Sequence, residues 1–222
     1  MSPGIVPVFP LPNAVLFPNT VLGLHVFEPR YRQMVEHVRA GEGLIAIALL
    51  QPGYEPDYMG SPAFHSLATV GRISGVQRRD DGTFDLNVVG LARVDLHEIP
   101  SQHLYRIARF EPRAESAADD EDPVIRNAKL DLLATQGYLM RELTGDAGPG
   151  LVVDDRMPFA AAVNGACANL PEEPPVRQGL LAIDDLMQRH HRVVELLHEA
   201  LSKVLRIKNV GEKPGENGAW VN

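Results

Sequence analysis

Cysteine is almost missing from this chain. Cys167 is the single one in 222 residues, so neither an internal disulfide nor a cysteine-based zinc finger can form. Lysine is scarce too. Lys129, Lys203, Lys208 and Lys213 follow Ala, Ser, Ile and Glu, so the Gly-Lys-Ser/Thr of a phosphate-cradling loop does not occur and Walker-type ATP hydrolysis is excluded. No His-Glu-x-x-His is present, and Gly71-Arg-Ile-Ser-Gly75 has its serine one place late for a nucleophile elbow. The longest apolar run, Leu44 to Leu50, has seven residues, where a membrane helix needs about 20. The N-terminus, Met1-Ser-Pro-Gly-Ile-Val-Pro7, has neither the basic nor the apolar stretch of a secretory signal. The expected location is the cytoplasm, with the thiol reduced. Positive charge is also short: 21 Lys+Arg against 29 Asp+Glu give a net −8, which disfavours nucleic acid as a partner.

What remains is the balance of an ordinary globular protein, 45% hydrophobic and 23% charged. At this length folding removes roughly 70% of the unfolded chain's surface, so a core needs no staples. Residues 5–28 are short apolar stretches cut by Pro7, Pro10, Pro12 and Pro18, which predicts short or edge strands with unpaired sides. Pro29 then opens a helix whose apolar face is Tyr31, Met34, Val35 and Val38, and Gly41 ends it. Leu44–Leu50 reads as a strand buried on both faces. Residues 51–66 have no period and read as a long loop. Beyond it, 70–76 and 83–89 form a hairpin about Arg79-Asp-Asp-Gly82, and 93–99 and 104–110 read as two further strands. Phe84, Leu86 and Val88 alternate with polar residues, which predicts an antiparallel sheet with one wet face.

The period then changes. Residues 1–113 read as a β-rich lobe, 114–122 as an acidic, structureless linker, 123–208 as a helical lobe and 209–222 as a disordered tail. Asp122-Pro123 is an N-cap with proline at N1, opening a helix to about Leu143. A small-residue helix covers Phe159 to Leu170, and a last helical region runs from about Pro175 to Ile207, broken at Asp184-Asp185. Gly145–Gly150 reads as a loop and Asp154-Asp155 as a cap. The fold class is α+β.

Candidate chemistry is sparse. His191, Glu195 and His198 fall at i, i+4, i+7 on the last helix, a set that can hold zinc or else forms a solvated face. Cys167 is a nucleophile only if a histidine lies near it; the other reading is a packed, unreactive hydrophobe. Phe17, Leu24 and Phe27 flank the first helix, and Tyr54, Tyr58, Met59 and Phe64 lie in the long loop. Aromatics and Met on loops suit an adaptable binding surface, unless the loop folds back and buries them. Nothing calls for a cofactor or a metal.

Pro10-Leu-Pro-Asn-Ala-Val-Leu-Phe-Pro18, Phe27-Glu-Pro-Arg-Tyr31, Val70-Gly-Arg-Ile73, the Asp81-Gly82 hairpin and Val89-Gly-Leu-Ala-Arg93 together resemble the Lon-protease N-terminal (substrate-binding) domain in its stand-alone form. Phe159, Leu170-Pro171 and Gln178-Gly-Leu-Leu181 extend the likeness more weakly, and it covers roughly residues 5–207. The resemblance implies a six-stranded PUA-like pseudo-barrel with one short helix, followed by a helical bundle. It implies recognition of unfolded polypeptides, with a protease or chaperone as partner, but not the ATPase or Ser-Lys protease activity, whose motifs are missing here. The leading expectation is a non-enzymatic polypeptide-binding or adaptor protein. The alternatives are a small hydrolase using Cys167 or His191 in an inter-lobe cleft, and an oligomerisation module. For binding, the near-neutral N-terminal half is favoured, with 9 basic and 11 acidic residues in 1–112 against 12 and 18 in 113–222. An unpaired strand edge there would take an extended peptide, with Phe27, Tyr31, Tyr54, Tyr58 and Met59 as side-chain contacts.

Overall fold

Proline leaves the first strand paired on each side over only part of its length. In the computed structural model, which describes residues 1–144 and 156–211, β1 (Gly4–Leu11) is hydrogen-bonded on both sides. It runs antiparallel to β6 (Arg106–Pro112), with Pro7 opposite Ile107, and parallel to β3 (Leu44–Leu49), with Pro10 opposite Ala48. The sheet is therefore mixed, which corrects the antiparallel expectation. Parallel neighbours need a long crossover, and residues 12–43 supply one that contains β2 (Val21–Val26) and α1 (Pro29–Arg39).

The sheet has six strands, as the resemblance implies, and the second difference concerns where they divide. Residues expected as two strands form one, β5 (Phe84–Ile99), because Gly90 bends the chain without ending the ladder. A Cβ there would lie 2.1 Å from the Phe17 carbonyl oxygen, so only glycine admits the 15–20 segment crossing it. β5 pairs with β2, with β4 (Leu67–Arg78) and with β6. The pairings β5–β4–β3–β1–β6–β5 thus return on themselves, and β2 hangs outside that ring. The 79–82 hairpin is as read: Gly82 has φ 79°, and the Arg79 N–H donates to Thr83 O at 2.9 Å.

α1 buries Tyr31, Met34, Val35 and Val38 against Phe9, Val26, Phe84 and Leu86. β3 is buried along its length, as its composition requires. Four helices follow: α2 (Pro123–Thr144), α3 (Phe159–Ala168), α4 (Pro174–Leu181) and α5 (Leu186–Gly211). Their shared core holds Leu132, Leu139, Phe159, Val163 and Leu197, and it also takes in Val15, Phe17 and Leu49 from the β-rich lobe. Burying each such side chain contributes roughly 1.5–3 kcal/mol. One core therefore spans both lobes. α5 carries residues 209–211, which the sequence assigns to the tail; residues 145–150, Asp154, Asp155 and Trp220 lie outside the described residues.

Residues 114–122 have irregular backbone, but they are fastened rather than loose. Asp120 accepts the Phe159 N–H at 2.6 Å and Asp122 accepts the Val124 N–H at 2.8 Å, so two of the acidic side chains cap α3 and α2. Beneath them lies a buried polar cluster. Arg93 donates to the carbonyls of Leu181, Ile183 and Ala114 at 2.9, 3.2 and 2.8 Å and to Asp184 at 3.0 Å. Arg189 donates to Leu180 O and to Asn164 Oδ1 and pairs with Glu115. Both guanidiniums sit at the C-terminal end of α4, where the helix dipole favours cations.

Candidate polypeptide-binding surface

Phe27-Glu-Pro-Arg-Tyr31 turns out to be a clamp. Pro29 starts α1, and Arg30 follows in the first turn, where the helix dipole disfavours a cation. Its compensation is a full set of acceptors. Nε donates to Glu28 Oε2 at 3.0 Å, Nη1 to Gly60 O at 3.1 Å and Nη2 to Tyr58 O at 3.0 Å. The guanidinium also lies 4.8 Å from the Tyr31 ring centre and 5.9 Å from that of Tyr58. The Tyr58 hydroxyl donates to the other Glu28 oxygen at 3.3 Å. Burial and the Glu28 carboxylate raise the Tyr58 phenol above its ordinary range, so it stays a donor.

The far end of loop 51–66 is held separately. Leu50 and Phe64 form an isolated bridge, the Gln51 N–H donates to Ala63 O at 2.8 Å, and Arg106 donates to Pro62 O while lying 4.3 Å from the Phe64 ring centre. The loop is thus a tied excursion with a short 3-10 turn at Glu55–Asp57.

The five expected contact residues divide. Met59 is 80% exposed and Phe27 61%. Tyr54 and Tyr58 are half-buried, with ring centres 6.0 Å apart. Tyr31 does not face solvent: it is buried, its ring 4.2 Å from that of Phe9, and burial pushes its phenol up to about 12. It supports the surface from below. Glu28 and Arg30 join the Phe27 segment to the loop, and sequence reasoning gave neither of them a role. The available signal was a basic side chain in the first turn of a helix.

The alternative chemistry fails on geometry. Cys167 is fully buried in the helical core, and burial pushes its thiol up to about 12, so no thiolate is available for attack. His191 and His198 are exposed on α5, and Glu195 is engaged by Arg192 at 2.8 Å. Among the described residues no group of three or more His, Cys, Asp or Glu is placed to hold a metal ion, and no helix is long and apolar enough to cross a membrane. Among the described residues β2 is paired on one side along its whole length, whereas β1 is paired with β6 over Gly4–Val8 and with β3 over Val8–Leu11.

Residues 5–199 match the model of the ATP-dependent protease La (LON) substrate-binding domain. Among curated relatives, Lon protease of Flavobacterium johnsoniae is 22% identical over 214 residues, 93% of this chain and 25% of that protein. Lon protease of Anaeromyxobacter dehalogenans is 28% identical over 210 residues, 93% of this chain and 24% of that protein. The chain spans about a quarter of the length of these relatives. The N-terminal domain of Mycobacterium avium complex Lon protease superposes with a TM-score of 0.65 at 18% identity, covering 88% of this chain and 98% of that one. A Lon N-terminal domain protein from Xanthomonas campestris does so at 0.58 and 21%, covering 86% and 98%.

Proposed function

The chain belongs to the Lon substrate-binding domain family, and on that premise we propose that it binds unfolded or flexible polypeptide segments as a recognition module, without catalysis of its own. The observation that carries this reading is the pairing of Phe27 and Met59, both largely exposed, on a base that Arg30 and Glu28 hold in place. Large apolar side chains kept in water on a fixed base gain by covering one another with a partner's apolar groups. The surface has no deep polar anchor, so binding is sequence-tolerant and on the order of micromolar or weaker. An adaptor role, delivering such segments to a protease or chaperone in the cytoplasm, follows from the same reading.

Fluorescently labelled casein, an unfolded protein, tests it by anisotropy titration. The wild-type chain binds, and a Phe27→Ala, Met59→Ala double variant binds at least about tenfold more weakly. Wild-type strength in a folded double variant would move the surface elsewhere. No binding by the wild-type chain would overturn the reading itself.

A further inference from the structure

We propose that the bound polypeptide is added as a β-strand to the open side of β2, its apolar side chains entering the uncharged groove between α2 and α3. This rests on the polypeptide-binding reading above and gives it a place and a geometry.

The open side follows from the ladder. Among the described residues β2 is paired with β5 alone, and the Gly90 N–H donates to Thr20 O at 2.9 Å. Antiparallel ladders alternate, so Leu22, Leu24 and Val26 bond to β5 while the N–H and C=O groups of Val21, Gly23 and His25 point outward. An alternating row of donors and acceptors, otherwise bonded to water, matches the backbone of another extended segment. Another stretch with one unpaired side, Ser74–Arg78 of β4, is protected: its register shifts between Ser74 and Gln77, Gly75 has φ 58°, and it ends on a charged residue. β2 has no bulge, no proline and no Lys or Arg within it.

The groove fixes the chemistry of the occupant. It holds about 320 Å³ and begins at Asn19, Thr20 and Val21, so Val21 belongs both to the edge and to the groove wall. Leu133 of α2 and Ala161 and Gly165 of α3 also line it, and among the described residues none of its lining is charged, in a chain that is 23% charged. A Cβ placed on Gly165 would meet nothing within 4 Å. Space free of charge beside a hydrogen-bonding edge accepts an extended segment with uncharged apolar residues at alternate positions. At the other end, the exposed face of β2 continues through His25 to Phe27, whose rings lie 6.1 Å apart, so the edge leads onto the clamp surface.

The probe is a synthetic peptide of about eight residues, strand length, alternating Val and Thr with a Lys at each end. Hydrogen exchange on the full chain is expected to slow at the Val21, Gly23 and His25 amides by about tenfold or more on peptide addition, with Leu22, Leu24 and Val26 unchanged. A peptide with proline at alternate positions protects nothing. Gly165→Leu places its Cβ in open space and extends a side chain into the groove, and leucine suits a helix better than glycine, so it should keep or raise the thermal midpoint while weakening the Val/Thr peptide about tenfold. If casein binds but the three amides stay unprotected and Gly165→Leu is neutral, the strand geometry is wrong and the polypeptide reading survives. If neither casein nor the peptide binds, that reading fails first. Protection without peptide that grows with protein concentration gives the edge to a second copy. Protection lost on removing residues 212–222 gives it to the chain's own C-terminal segment. Either overturns the proposal.

Discussion

Residues 51–66 and 114–122 are both irregular, and both are fastened by arginine to backbone carbonyls, yet the two fastenings work in opposite surroundings. The Arg93 side chain is 1% exposed and its contacts are reached through the interior. Burial and the neighbouring Arg189 charge both lower its pKa. Arg30 is 18% exposed, at the rim, and holds a loop whose tip residue Met59 stays in water. A charge buried among carbonyls locks two lobes together, because any opening strands it without acceptors. A charge at the rim can hold a loop in shape while leaving its far side free to bind. The same residue type therefore marks structure in one place and presentation in the other, and burial decides which.

The sharpest way to break the contrast is Arg93→Ala. It leaves the Leu181 and Ala114 carbonyls without their guanidinium donor, and the expected loss is about 2–4 kcal/mol, read from denaturant unfolding. A loss under about 1 kcal/mol would mean the lobes are held by apolar packing alone. Arg30→Ala is expected to cost less, about 1–2 kcal/mol, and to act locally, making residues 53–61 open to limited proteolysis while the core stays closed. Global unfolding at a much lower temperature would erase the distinction between the two fastenings.

Acid, combined with a substitution at Asp184, tests the tether between the lobes. Two hydrogen bonds from Arg113, and Arg93 beside it, hold the Asp184 carboxyl down to about 2. A lowered native pKa means the stabilisation is complete above the ordinary carboxylate pKa of about 4 and is lost as pH falls toward 2. Asp184→Asn should flatten that limb of the stability curve; an unchanged limb would show that the pair contributes nothing. The smallest effect is at the surface: Met59→Ser should shift stability by no more than about 0.5 kcal/mol while weakening casein binding.

These elements were not equally legible. The 29–39 helix was, because Tyr31, Met34, Val35 and Val38 repeat at helical spacing and proline precedes them. That same spacing already puts Tyr31 on the buried face, against its place in a contact surface. The β1–β3 pair was not legible, since strand periodicity carries no information about which strands are neighbours. Gly90 reads as a break in sequence and is a point of close approach in space. Phe27 and Met59 were visible as apolar residues in loops, but the clamp joining them needs Arg30 and the Tyr58 and Gly60 carbonyls, 28 and 30 positions apart in the chain. The open β2 edge was hidden for the same reason: none of the prolines that suggest unpaired strands lies on β2, and two of them, Pro7 and Pro10, lie on β1.

The returning ring of strand pairs sets a timetable for synthesis. Gly4 pairs with Phe110, so the ring stays open until the chain is about half made. At roughly 5–20 residues per second, β1 waits on the order of 5–20 s for β6, and only β3 reaches it sooner. Through that interval β1 is a short apolar strand with an exposed side, the kind of segment that joins a neighbouring nascent chain. Pro7 and Pro10 lie three apart and so face opposite sides of the strand, and each withholds one N–H from such a neighbour. Residues that look like flaws in a twice-paired strand thus leave one donor fewer on each side while its second partner is still unmade.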